Sequence, residues 1–67
     1  MTHFISSSSM KEATKTKTYR GKRYHLHTIT NGQSAGKIGK ALDSEKISNL
    51  QVPCRHNGQS EYAIYVR

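Results

Sequence analysis

The positions spaced for burial lie between residues 24 and 66, and their period changes along the chain. Tyr24-His25-Leu26-His27-Thr28-Ile29-Thr30 alternates and is rich in β-branched and aromatic residues, which predicts a strand. On a regular pleat Tyr24, Leu26 and Thr28 share one face, and His25, His27 and Ile29 share the other. Asn31-Gly32 then ends the strand in a tight turn, since both residues accept positive φ. From 34 to 42 the period lengthens. Ala35, Ile38 and Leu42, with Ala41 beside them, fall on one side of a helix, while Lys37 and Lys40 point away. Ser34 is the expected N-cap. Gly36 and Gly39 weaken that helix by about 1 kcal/mol each relative to Ala. The competing arrangement keeps residues 33–40 extended as a return strand.

Asp43-Ser44 caps a second helical turn over residues 45–50, bringing Ile47 and Leu50 to the same side. The segment 34–50 thus has the outline of a helix-turn-helix, although its second helix is short for a major groove and Pro53 follows closely. Pro53 suits an edge strand or a strand start. Asn57-Gly58 marks another tight turn, and Glu61-Tyr62-Ala63-Ile64-Tyr65-Val66 alternates after it with Tyr62, Ile64 and Val66 inward, so residues 51–67 form a hairpin. The tetrapeptide Asn-Gly-Gln-Ser occurs at 31–34 and again at 57–60, but the flanks differ, which makes it repeated turn chemistry and not a duplicated unit.

Residues 1–17 are dominated by Ser, Thr and Lys, with Phe4 and Ile5 as isolated apolar positions. Ordering such a stretch costs about 1–2 kcal/mol per residue in backbone entropy, with no hydrophobic offset in view. The expected fold is therefore a small α+β domain over residues 18–67, with about three antiparallel strands (a strand, one or two short helices, a C-terminal β-hairpin). A disordered basic tail over residues 1–17 precedes it.

Composition narrows the classes. At 67 residues there is room for one small domain. Its core is marginal without a metal, a disulfide or a partner surface, which favours a homodimer or docking on a partner. Cys54 is the single cysteine, so no intramolecular disulfide forms, and a free thiol suits a reducing compartment. No apolar run reaches the roughly twenty residues that span a bilayer, and the N-terminus lacks the pattern of a secretory signal. The expectation is a soluble cytoplasmic protein, of a size compatible with a phage or mobile-element origin.

Charge gives the functional lead. Residues 1–40 carry eight Lys/Arg and one acid; residues 41–67 carry three of each sign, so the whole net charge of +7 lies in the first forty residues. A basic arm on a near-neutral body is the pattern of a polyanion partner. Lys15, Lys17, Arg20, Lys22 and Arg23 are the expected phosphate contacts, neutralising phosphates and releasing their counterions. Tyr19 and Tyr24, beside Arg20, Lys22 and Arg23, are placed to stack on exposed bases. Lys37 and Lys40 extend the surface along the helix. The expected function is non-enzymatic nucleic-acid binding, DNA or RNA, by a small regulatory or accessory protein.

Rival readings come from other classes. An adaptor or inhibitor docking on an acidic protein surface explains the same charge. A small ribonuclease toxin would use His25 or His27 as general base with a cation on the phosphorane, yet no second catalytic group is fixed, since Glu12, Asp43, Glu45 and Glu61 form no evident pair. His25, His27, Cys54 and His56 carry the donor types of a tetrahedral zinc site. They meet only if their two strands are neighbours, and their spacing is no familiar zinc signature. No metal or other cofactor is expected.

Overall fold

The computed structural model describes residues 1–5 and 11–67. These form β1 (Thr2–Phe4), β2 (Thr16–Tyr19), β3 (Lys22–Thr30), α1 (Gly32–Ser44), β4 (Asn49–His56) and β5 (Gln59–Val66). The strands make one mixed sheet in the order β1-β4-β5-β3-β2, curved into a half-barrel. β1 runs parallel to β4, and the other three pairings are antiparallel. The expected three-strand α+β domain with one or two helices is thereby corrected to a five-strand sheet with a single helix.

The segment expected to be a tail, residues 1–17, supplies the edge strand β1 and the first half of the other edge strand, β2. In β2 the Lys/Thr alternation places β-branched threonines at 16 and 18 on one face and the half-buried Lys17 and Tyr19 on the other, which suits a pleated edge. Further links tie this segment down: Ile5 N–H donates to the Gln51 carbonyl at 3.0 Å and Arg55 N–H to the Lys11 carbonyl at 3.0 Å. The Tyr65 hydroxyl donates to the Thr14 carbonyl at 2.8 Å. The four-serine run, residues 6–9, lies outside the described residues.

Asn31, and not Ser34, caps α1. Its backbone is extended (φ −73°, ψ 171°), and its Oδ1 accepts from the Ser34 N–H at 2.9 Å. Asn31-Gly32 is therefore a helix start and not a hairpin turn. At the other end Ile47 N–H donates to the Leu42 carbonyl at 2.9 Å and Lys46 N–H to the Asp43 carbonyl at 3.0 Å, with Lys46 at φ 60°. This paired closure is a Schellman motif. It turns the chain straight into β4, so the second helical turn over 45–50 does not form and the helix-turn-helix outline is lost.

One irregularity sets the faces of β3. Leu26 pairs with Tyr65 and Thr28 with Ile64, so His27 is an extra residue in a β-bulge. The bulge moves Ile29 onto the face of Tyr24 and Leu26 and sends Thr28 to the face of His25, opposite to a regular pleat. Tyr24, Leu50, Cys54, Ala63 and Tyr65 form the larger core cluster, with Leu26, Ile29, Val52, Tyr19, Ile5 and Ala13 packed around it. On the opposite face α1 lays Ala35, Ile38 and Leu42 against Ile64 and Val66. Gly39 lets the helix approach closely, because a Cβ there would sit 2.6 Å from the Gln51 Nε2, which donates to the Ala35 carbonyl at 2.7 Å.

Candidate functional site

The strand directions bring distant parts of the chain to one end of the sheet. The start of β3, the ends of β2 and β5, the starts of β1 and β4 and the C-terminus of α1 all lie there. Two adjoining depressions open at this end. One is lined by Arg23, Lys46, Ile47, Ser48 and Arg67. The other is lined by His3, Tyr19, Arg20, Lys22 and Tyr24, and it shares Ser48 and Arg67 with the first. Five cations, Arg20, Lys22, Arg23, Lys46 and Arg67, thus gather around one end of the sheet from three separate stretches of sequence.

Three features of this gathering matter physically. Among the described residues the one ion pair joins the Met1 ammonium to Asp43 at 3.1 Å, so none of the five cations forms an ion pair there. Hydrogen bonds from Thr2 first, then the Met1 ammonium and Asn49, hold the Asp43 carboxyl below the usual carboxylate range. That acid is committed to β1. Glu45, exposed at the helix C-terminus, makes no ion pair among the described residues.

Next, two of the five cations occupy backbone positions that favour Gly or Asn. Arg20 has φ 51° and Lys46 φ 60°, and a left-handed conformation costs an ordinary L-residue about 1–2 kcal/mol. Among the described residues the third such non-glycine residue is Asn57, which tolerates the region.

Finally, rings order the guanidinium groups. The Arg20 guanidinium lies 5.4 Å from the centre of the Tyr19 ring, and that of Arg67 lies 5.9 Å from the centre of Tyr24. Tyr19 and Tyr24 meet edge to face at 6.5 Å, and His3 lies 5.2 Å from Tyr19. His3 and Tyr19 belong to β1 and β2, the opposite edges of the sheet, so this contact draws the mouth of the half-barrel together at the cationic end.

The residues expected to touch phosphate divide. Arg20 and Lys22 line one depression of this end and Arg23 the other; Lys15, Lys17, Lys37 and Lys40 line neither. Lys15 flanks β2, where its carbonyl accepts from Leu26 N–H at 2.8 Å. Lys17 lines a separate depression with Lys11, Thr14, Cys54 and Tyr65. Lys37 is exposed on α1, and Lys40 borders an apolar groove with Met1, Phe4 and Gly36. Tyr24 is only 3 % exposed, so its ring is not free to stack on a base, and its part is to carry Arg67. Sequence reasoning missed Lys46 and Arg67. Pairing the two most regular strands antiparallel would have found Arg67, because it sets Val66 opposite His25.

The four donors of the candidate zinc set do not come together. β5 lies between β3 and β4, so His25 and His27 are kept from Cys54 and His56. Cys54 is buried, 2 % exposed; burial first, then the charges of Glu61 and Glu12, push its thiol up. His25 and His27 are exposed on β3, and neither hydrogen-bonds a carboxylate among the described residues. No helix is long and apolar enough to cross a membrane among the described residues. No protein-family model matches the chain, and neither a curated protein nor a solved structure matches it.

Proposed function

We propose that this chain binds nucleic acid through the cationic end of its half-barrel, with Arg20, Lys22, Arg23, Lys46 and Arg67 as the phosphate contacts. The observation that carries the proposal is their convergence at one end of the sheet, with no ion pair to any of them among the described residues. Gathering like charges raises the energy of the folded chain, and a polyanion relieves that cost on binding. The backbone choices point the same way. At Arg20 and Lys46 the chain keeps a cation where glycine or asparagine is cheaper for folding, and such local strain clusters at working surfaces. The phosphate contacts expected from Lys15, Lys17, Lys37 and Lys40 are replaced in this proposal by Lys46 and Arg67.

Binding to random duplex, single-stranded DNA and RNA across a salt series tests it. With all five cations engaged, log affinity should fall against log salt with a slope of about −4.5 on duplex and about −3.5 on a single strand. Absence of binding at low salt rejects the proposal and favours docking on an acidic protein surface.

A further inference from the structure

Resting on that proposal, we infer that the cationic end takes single-stranded nucleic acid, with an unpaired base stacked on the row formed by His3, Tyr19 and the Arg20 guanidinium. The two adjoining depressions differ in chemistry. The one holding Arg23, Lys46 and Arg67 has no aromatic lining and suits phosphate alone. The other has His3, Tyr19 and Tyr24 among its lining, with Arg20, Lys22 and Arg67 beside them. An aromatic floor with a cationic rim, next to a cationic hollow without rings, matches the repeat of a nucleic-acid strand, in which each base lies beside its phosphates. Duplex DNA offers this surface no base face, because its bases are stacked on one another.

The ring geometry supports a base at this point. His3 and Tyr19 are each partly exposed, and they are already within 5.2 Å of each other. Arg20 lies over Tyr19 at 5.4 Å. A base docked here stacks on the imidazole, which is tilted 38° to the Tyr19 ring, or on the guanidinium plane, and both are surfaces on which bases stack. Arg20 then serves twice, as a stacking plane and as a charge, which gives a reason for an arginine at a left-handed turn position. Stacking does not depend on base identity, so this surface should show little sequence preference.

The test compares a labelled oligothymidylate with a duplex of similar length, using the whole chain and the variants His3→Ala, Tyr19→Leu and Tyr19→Phe, each checked for folding by circular dichroism. The single strand should bind at least tenfold more tightly than the duplex. His3→Ala and Tyr19→Leu should each lower single-strand affinity roughly tenfold, and Tyr19→Phe should keep it. None of the three should change the salt slope, since none removes a cation. If Tyr19→Leu fails to fold, His3→Ala carries the same comparison from the other edge strand. Equal affinity for both ligands, with the ring variants unchanged, overturns the stacking inference while phosphate binding stands. No binding of either ligand at low salt overturns the proposed function itself, and the inference with it.

Discussion

The two β-hairpins of this chain share a turn geometry and differ in what sits on it. Tyr19 pairs with Lys22 across Arg20-Gly21, and His56 pairs with Gln59 across Asn57-Gly58. In each, both central residues have positive φ: 51° and 77° in the first, 52° and 76° in the second. Two residues with positive φ make the turn that matches the twist of paired strands, and Asn-Gly is its preferred sequence. The C-terminal hairpin uses that sequence. The N-terminal one puts arginine in the same place, and Lys22 and Arg23 follow directly. Where only the fold decides, the chain uses the cheapest residue; where the cationic surface is built, it keeps a charge at some cost in stability. Lys46 repeats the lesson at the end of α1, where glycine is the usual closing residue.

Charge reversal should separate the two ends of the sheet most sharply. The double variant Arg23→Glu/Arg67→Glu should lose nucleic-acid affinity on the order of a hundredfold at moderate salt. Arg55→Glu, beside the other turn, should stay within about twofold. Equal losses would mean that the surface is spread over the molecule. Both changes are read by fluorescence anisotropy at fixed ionic strength.

Turn strain comes next. Gly58→Ala should destabilise the protein by about 1–2 kcal/mol, because an L side chain at that φ is strained and the turn joins two of the three interior strands of the sheet. Gly21→Ala carries the same strain, but its hairpin contains an edge strand that can fray, so global unfolding in urea should register less of it. A swap tests the central residue. Arg20→Asn should raise stability by about 0.5–1 kcal/mol and weaken binding severalfold, while Asn57→Arg should lower stability by a similar amount and leave binding unchanged.

The smallest expected effect is a pH dependence at β1. The Asp43 carboxyl titrates below its unfolded value, so its contribution is full above that value and is lost as pH falls through the folded one. Below about pH 4 the contact between Asp43 and the Met1 ammonium should weaken. Amide exchange in Thr2–Phe4 should then rise before that of β4 and β5.

How much of this was legible in the sequence follows from the same comparison. Asn57-Gly58 and the alternation after it point directly to the C-terminal hairpin, since turn chemistry and period agree. Arg20-Gly21 carries no such signal, so β2 was hidden behind a Lys/Thr run whose partner strand had already been read without it. β1 is a parallel edge of three residues, too short to have a period. Asn31-Gly32 shows how one dipeptide serves two ends: here Asn31 caps a helix with φ −73°, and the following Ser34 and Ala35 were the available clue. The bulge at His27 reversed the expected faces of Thr28 and Ile29, and it was foreseeable only from the need to bury Leu26 and Ile29 together. Arg20, Lys22 and Arg23 were legible in the charge run. Lys46 and Arg67 were not, because a count by halves of the chain cannot see which ends a sheet brings together.

The most direct test of the central claim is a residue-resolved amide chemical-shift titration of the chain with a short oligonucleotide. The largest shifts should fall at Arg20, Lys22 and Arg23, at Lys46 and Ser48, and at Arg67, with the Asn57-Gly58 turn unmoved. Shifts centred on that turn or along the exposed side of α1, or none at all, would contradict it.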